Sequence, residues 1–122
     1  MSTLHVTNIG DGTDTVGTSY VINGSAKAWF NFDGSLGTPA VSGSFNVSSL
    51  TDNATGNYDV NLTNNMNDAV YSVAVSMDIV TIFALVSGLT ASAANIKTSY
   101  PYDGVLYDSG TAVTGTVDGD LA

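Results

Sequence analysis

The chain has 122 residues, which is enough to bury one hydrophobic core, and it has no cysteine, so disulfides and thiolate metal sites are excluded. All eleven acidic residues are Asp, only Lys27 and Lys97 carry a fixed positive charge, and the formal net charge is −9. Proteins bind nucleic acids and anionic membrane surfaces through clusters of Lys and Arg side chains, so this composition argues against both as partners.

The composition also disfavours helices. Glu, Gln and Arg, which build exposed helix faces, are absent, whereas Thr, Val, Ser, Gly, Asn and Asp are abundant and favour strands and turns. No secretory signal is recognisable at the start, and the longest apolar run has eight residues, too short to span a membrane as a helix. We therefore expect synthesis in the cytoplasm and no membrane insertion.

The first segment of the chain predicts an extended lead. Residues 3–9, TLHVTNI, predict a strand whose anchors are Leu4 and Val6, and residues 10–17, GDGTDTVG, predict a flexible loop. A short strand-like run follows at 19–22. We expect an N-terminal segment over residues 1–17 and a single domain over residues 18–122.

The stretch AKAWFNF at residues 26–32 alternates with a period of two, which is typical of a strand with one buried face. We predict that this face packs in the core and consists of Ala26, Ala28, Phe30 and Phe32. The opposite face carries Lys27, Trp29 and Asn31, and on it Trp29 is a candidate contact with a neighbouring subunit.

Three further segments in the middle of the chain show the same period. The first, at 44–50, has Phe45 and Val47 on one face. The second, at 58–63, and the third, at 70–77, have apolar faces made of Tyr58, Val60 and Leu62, and of Tyr71, Val73, Val75 and Met77.

The run IVTIFALV at residues 79–86 is apolar on both faces, which predicts a strand buried on both sides. In a small sandwich one face of each strand normally meets water, so this strand is covered either by its own chain or by another subunit. Under the second alternative, the oligomer interface contains Ile79, Ile82, Phe83 and Leu85, together with Trp29.

The last segments, at 92–100, 105–107 and 111–117, predict a weaker strand, a short strand and a final strand. Strands thus recur about every ten residues with turn residues between them. This spacing predicts an all-β fold, an antiparallel, jelly-roll-like β-sandwich with a short extended N-terminal segment.

The sequence offers no catalytic or metal-binding group that stands out. His5 is the only histidine and lies close to the N-terminus, and most of the Asp residues flank Gly, Asn, Ser or Thr in turns, where their carboxylates accept backbone N–H groups. We predict a protein that is not an enzyme and needs no cofactor. Tyr100 and Tyr102 lie in a predicted loop and are candidate ligand contacts, because aromatic rings stack on the apolar faces of sugars.

Two segments resemble a known kind of protein. KAWFNFDG at 27–34 and SFNVSSLTDNATGNYDVNLTNNMNDAVYSV at 44–73 are similar to a recurring module of bacteriophage tail-fibre and other virion proteins. The residues before the first segment, STLHVTNIG, resemble the short lead that precedes this module. The resemblance is good over residues 26 to 75 and loose over residues 1 to 10.

The resemblance implies a β-rich virion component without chemistry of its own. Phage appendages are often homotrimers, so it also implies a homotrimer on the virion surface, bound to a capsid, neck or tail protein. Because the chain has room for a short lead and one domain, we expect an exterior knob, a capsid-decorating protein or a short fibre. Leu4, Val6 and Ile9 are the predicted docking residues of the lead. The alternative is a tail-fibre-type module for host attachment that binds a host-surface glycan.

Overall fold

The computed structural model describes residues 1–108 and 110–122, and it contains one short helix and ten strands over these residues. The elements in chain order are β1 (Asn8–Gly10), β2 (Thr15–Gly17), α1 (Thr18–Gly24), β3 (Ala26–Asp33), β4 (Ala40–Phe45), β5 (Val47–Ala54), β6 (Asn57–Leu62), β7 (Ser72–Met77), β8 (Phe83–Thr90), β9 (Ala93–Ser99) and β10 (Val113–Asp118).

Eight of the strands form a sandwich of two four-stranded antiparallel sheets. The first sheet has the order β4-β3-β10-β7 and the second has the order β5-β6-β9-β8. The edge strands β7 and β8 lie beside each other on one side of the sandwich, and β4 and β5 lie beside each other on the opposite side. The predicted all-β antiparallel sandwich is therefore confirmed.

The core fills the space between the two sheets. Its larger cluster contains Phe30, Phe32, Tyr58, Val60, Ala94, Ile96 and Val113, and its smaller cluster contains Ala28, Leu62, Met66 and Val117. Val73, Val75 and Met77 of β7 pack against these clusters, so the faces predicted for β3, β6 and β7 are confirmed, with one exception on β3. Because a strand places alternate side chains on the same face of the sheet, the apolar residues of each alternating segment all point into the core.

The exception is Ala26, which was predicted in the core and is exposed. The pairing of β3 with β10 shifts by one residue here, because Ala28 faces Val117 while Ala26 faces the next residue. Lys27 is the extra residue of this bulge, and a bulge breaks the alternation of faces. Lys27 is buried instead, and its ammonium group donates hydrogen bonds to the carbonyl and hydroxyl oxygens of Ser25.

The segment 44–50 was predicted as one strand, and this prediction is wrong. The chain changes sheets at Asn46, so that Phe45 ends β4 and Val47 begins β5. Asn46 has a φ of 57°, a left-handed conformation that Asn adopts more readily than most residues. Its side chain holds the crossing in place by donating to the carbonyl of Lys27 and accepting from the backbone N–H of Asn64. Phe45 is consequently exposed and does not share a face with Val47.

The prediction for 79–86 is also wrong in its bounds, and the cover of its exposed face by another subunit stays a prediction. β8 begins at Phe83 and continues to Thr90, and residues 78–82 form the connection from one sheet to the other. Ile79 and Ile82 are half-buried in this connection, whereas Phe83 is exposed. A connection that crosses between sheets needs apolar side chains to cover the end of the core, and its composition therefore looks like that of a buried strand.

The N-terminal residues differ from the prediction in their local structure. The strand predicted over 3–9 is reduced to β1, and the predicted loop over 10–17 contains β2, which pairs with β1 in a two-stranded hairpin. The Asp11 carboxylate accepts hydrogen bonds from two backbone N–H groups in the turn of the hairpin, which lowers its pKa. The run at 19–22, predicted to be strand-like, is instead part of α1, which has no side-chain hydrogen bond at its N-cap and no acidic residue in its first turn.

Candidate functional site

The predicted docking residues lie in a part of the chain that adds nothing to the core. We call residues 1–24 the arm. All of its residues are exposed except Gly17 and Thr18, which are half-buried. Leu4 is 84% exposed, and Val6 and Ile9 are also exposed. Ile9 is paired with Val16 across the hairpin, so the two side chains form one small apolar surface.

The five predicted interface residues do not form one surface. Ile79, Ile82, Phe83 and Leu85 lie at the side of the sandwich where β7 and β8 meet, which we call the β7–β8 edge and define as residues 72–90. Three of them, with Met77, line a depression of about 290 Å³. Trp29 lies elsewhere, on the outer face of the first sheet.

Trp29 forms one wall of a groove on the outer face of the first sheet, about 470 Å³ in volume. The indole lies over Gly43 of the neighbouring strand, where a Cβ atom would be 3.4 Å from the ring, and the side chain is 44% exposed. Asn31, Ser76, Thr114 and Thr116 provide the polar part of the groove. Its lining is neutral and mixes an aromatic surface with hydroxyl and amide groups.

The predicted ligand contacts belong to a cluster of tyrosines at one end of the sandwich. The ring centroids of Tyr100 and Tyr102 are 5.4 Å apart, and those of Tyr100 and Tyr107 are 6.2 Å apart. Tyr100 and Tyr107 line a cavity of about 270 Å³ together with Ile82 and Asp103. The sequence pointed to the two tyrosines of the YPY motif, but Tyr102 is exposed and contacts the ring of Tyr100, and the fold brings Tyr107 and Ile82 beside Tyr100.

Asp108 fastens the loop that carries these tyrosines to the core. Its carboxylate accepts a hydrogen bond from the backbone N–H of Gly56 at 2.7 Å, and it lies 2.9 Å from the hydroxyl of Tyr58. That hydroxyl is also 2.9 Å from the carbonyl oxygen of Gly34. Thr98 is buried at the end of β9, where it accepts from the N–H of Tyr107 and donates to its carbonyl. The tyrosine loop is thus held on a rigid base.

The environment of Tyr58 predicts a loss of stability at alkaline pH. Burial, followed by the Asp108 carboxylate, raises the pKa of Tyr58 far above its usual value of about 10. Above pH 10 the unfolded chain therefore releases this proton while the folded chain keeps it. The protonated Tyr58 therefore contributes its full stabilisation below about pH 10. As the pH rises further, the free energy of unfolding should fall by about 1.4 kcal/mol per pH unit.

Urea unfolding between about pH 9 and about pH 11 measures this effect. Tyr58→Phe should lose the part of the slope that comes from Tyr58, while Tyr71 continues to contribute because burial also raises its pKa. Equal slopes in the wild type and Tyr58→Phe would contradict the assignment.

The described residues show no other arrangement that points to chemistry. Among residues 1–108 and 110–122, no three His or Asp side chains converge to hold a metal ion. Over the same residues, no helix is long and apolar enough to cross a membrane.

Comparison with known proteins adds no relationship to this picture. No family model, no curated protein and no solved structure matches the chain.

Proposed function

We propose that this protein is a non-enzymatic structural component of a bacteriophage particle, an exterior knob, capsid-decorating protein or short fibre that assembles as a homotrimer on the virion surface. The resemblance of residues 27–34 and 44–73 to virion modules suggested this function. The structure supports a role in association, because eight of the large apolar side chains that it exposes lie in the arm and three more, Val80, Phe83 and Leu85, lie at the β7–β8 edge.

The single observation that carries the proposal is the exposure of the arm. Besides Met1, this segment exposes seven large apolar side chains, and exposed apolar surface of this extent marks a site that binds another protein surface. These side chains are Leu4, Val6, Ile9, Val16, Tyr20, Val21 and Ile22. We therefore assign the arm to docking, either on another virion protein or on a second copy of this chain.

Particle purification tests the proposal directly. The phage that encodes the chain is given an epitope tag at its C-terminus, and particles are purified on a density gradient. We expect the tagged protein in the particle band, at a constant ratio to the major capsid protein, and on the particle exterior in immunogold micrographs. Recovery of the protein only from the soluble lysate would contradict a virion role.

The native mass of the purified protein tests the homotrimer. Light scattering after size exclusion should give three times the chain mass of 12.5 kDa. A mass of 12.5 kDa at all concentrations would contradict self-assembly and leave a subunit that docks singly on the particle.

A second candidate function, binding of a host-surface glycan, is favoured by the tyrosine cavity. Tyr100 and Tyr107 provide aromatic walls, and Asp103 lies beside them with one carboxylate oxygen accepting from the N–H of Val105 at 2.9 Å. Aromatic rings and a nearby carboxylate can together bind the apolar face and the hydroxyls of a sugar.

Binding of fluorescently labelled protein to host cells checks this candidate. Tyr100→Ala should weaken binding by about tenfold if the ring stacks on a sugar. Tyr20→Ala is the matched control, because Tyr20 is exposed on the arm and away from the cavity. Absence of cell binding by the wild type would contradict the candidate.

A further inference from the structure

We infer that the arm of one copy packs against the β7–β8 edge of a second copy, so that the homotrimer is a closed ring of identical arm-to-edge contacts. The inference deepens the proposed structural function and rests on it. It identifies both halves of the interface, which are different surfaces of the same chain.

The first argument is the surface area of the single chain. A compact monomer of 12.5 kDa exposes about 6,200 Å². This chain exposes 7083 Å². The excess of about 900 Å² is close to the roughly 800 Å² that each partner loses in a stable interface of standard size. An arm that packs on a second copy would remove this excess.

The second argument is the weakness of the hairpin by itself. Strands β1 and β2 have three residues each, and they form a two-stranded sheet with no third strand. An isolated two-stranded hairpin of this size is marginal in water. The apolar pair Ile9 and Val16 is exposed on it, so packing this pair against another surface would stabilise the hairpin.

The third argument is that the β7–β8 edge lacks the usual protection of an edge. Soluble proteins block edge strands with charged residues or proline, because an open edge pairs with other chains. Neither β7 (SVAVSM) nor β8 (FALVSGLT) contains one, although the chain has eleven Asp. Val80, Phe83 and Leu85 add exposed apolar surface at this edge. At the opposite edge β4 (AVSGSF) also lacks a charged residue and proline, but β5 beside it carries Asp52.

The fourth argument is complementary charge. Asp11 and Asp14 lie at the turn of the arm hairpin, and backbone N–H groups hold the Asp11 carboxylate in its ionised form. Lys97 lies directly opposite Leu85 in the pairing of β8 with β9. The other lysine, Lys27, is buried. In a chain of net charge −9, the half-buried Lys97 on β9, the strand next to β8, thus provides a cation beside the β7–β8 edge for an acidic hairpin turn.

Because the arm and the edge are different surfaces, the interface is heterologous. Contacts of this kind give an oligomer of finite size only when the ring of subunits closes. This property allows a sharp test with two variants of the full chain. The arm variant is Leu4→Asp with Ile9→Asp, and the edge variant is Leu85→Asp. The control is Val41→Asp on β4, where the side chain is 44% exposed compared with 41% for Leu85.

We expect a trimer for the wild type and the control, and a mass of 12.5 kDa for the arm variant and the edge variant alone. An equimolar mixture of the arm variant and the edge variant should give a heterodimer whose mass is twice 12.5 kDa, and no larger species. In that dimer, the intact arm of the edge variant binds the intact edge of the arm variant, and no second intact pair remains. A far-UV circular dichroism spectrum of each variant that matches that of the wild type shows that the sandwich itself is intact.

Three results would overturn the inference. A trimer that persists in either variant would place the interface elsewhere, and a mixture that stays monomeric would mean that arm and edge do not bind each other. A monomeric wild type would assign the arm to a different virion protein. None of these results decides whether the protein is part of the particle, because purification of tagged particles answers that question separately.

Discussion

Replacing Phe30 with alanine should lower the free energy of unfolding by about 3 to 5 kcal/mol. Phe30 is buried in the larger core cluster, and its ring packs against Phe32 with centroids 6.0 Å apart. Alanine would remove the ring contacts and leave a cavity between the sheets. Because small domains are stable by only about 5 to 15 kcal/mol, a large share of the total would be lost. Equilibrium unfolding in urea measures the loss.

Trp29→Ala is the matched control for this prediction. Trp29 is the next residue along the same strand, it is larger than Phe30, and it lies on the outer face of the sheet. Its truncation should cost about 1 kcal/mol or less, since most of its loss is in contacts at the surface. A greater loss of stability for Trp29→Ala than for Phe30→Ala would mean that the two faces of β3 are reversed.

The faces of β3, β6 and β7 were predictable from the sequence because each is a continuous strand between a core and a solvent-exposed surface. Under those conditions the alternation of apolar and polar residues follows directly from the pleat of the sheet. Tyr58 and Val60 are examples, since both are fully buried and Asp59 between them is not. The sandwich itself followed from the number and spacing of such segments.

The sheet crossing at Asn46 was not predictable in the same way. Periodicity describes side chains relative to a local backbone direction, and a single residue with positive φ changes that direction without changing the sequence pattern. Asn is the one local signal, but it is common throughout this chain. The bonds from its side chain to the Lys27 carbonyl and the Asn64 N–H join residues that are distant in sequence.

The same limitation applies to the candidate surfaces. Tyr100 and Tyr102 could be selected because a loop with two aromatic residues is recognisable in the sequence. Asp103 and Tyr107 come beside Tyr100 through the folding of one loop, but Ile82 reaches the cavity only because β8 pairs with β9. The exposure of Phe83 and Leu85 depends on where β8 begins, and an unbroken apolar run does not contain that information.

Replacing Gly115 with alanine should lower the free energy of unfolding by about 3 kcal/mol, because the core has no room for one more carbon atom. Gly115 pairs with Phe30 in the first sheet, and a Cβ atom at this position would lie 2.3 Å from Cζ of that ring. It would also lie 2.8 Å from the carbonyl oxygen of Ala74, which belongs to the backbone of β7. Neither the packed ring nor the paired strand can move away without loss of other contacts.

Two further variants separate this steric mechanism from a general effect of replacing glycine in a strand. Gly88→Ala in β8 should change stability by less than about 1 kcal/mol, because the atom nearest to the added Cβ is the Cβ of Asn95, 4.0 Å away. In a Phe30→Leu background, Gly115→Ala should cost at least about 1 kcal/mol less than in the wild type, since the ring that blocks the new methyl group is gone. If the cost of Gly115→Ala is the same in both backgrounds, the clash with Phe30 is not its cause, and the approach of Ala74 becomes the explanation to test.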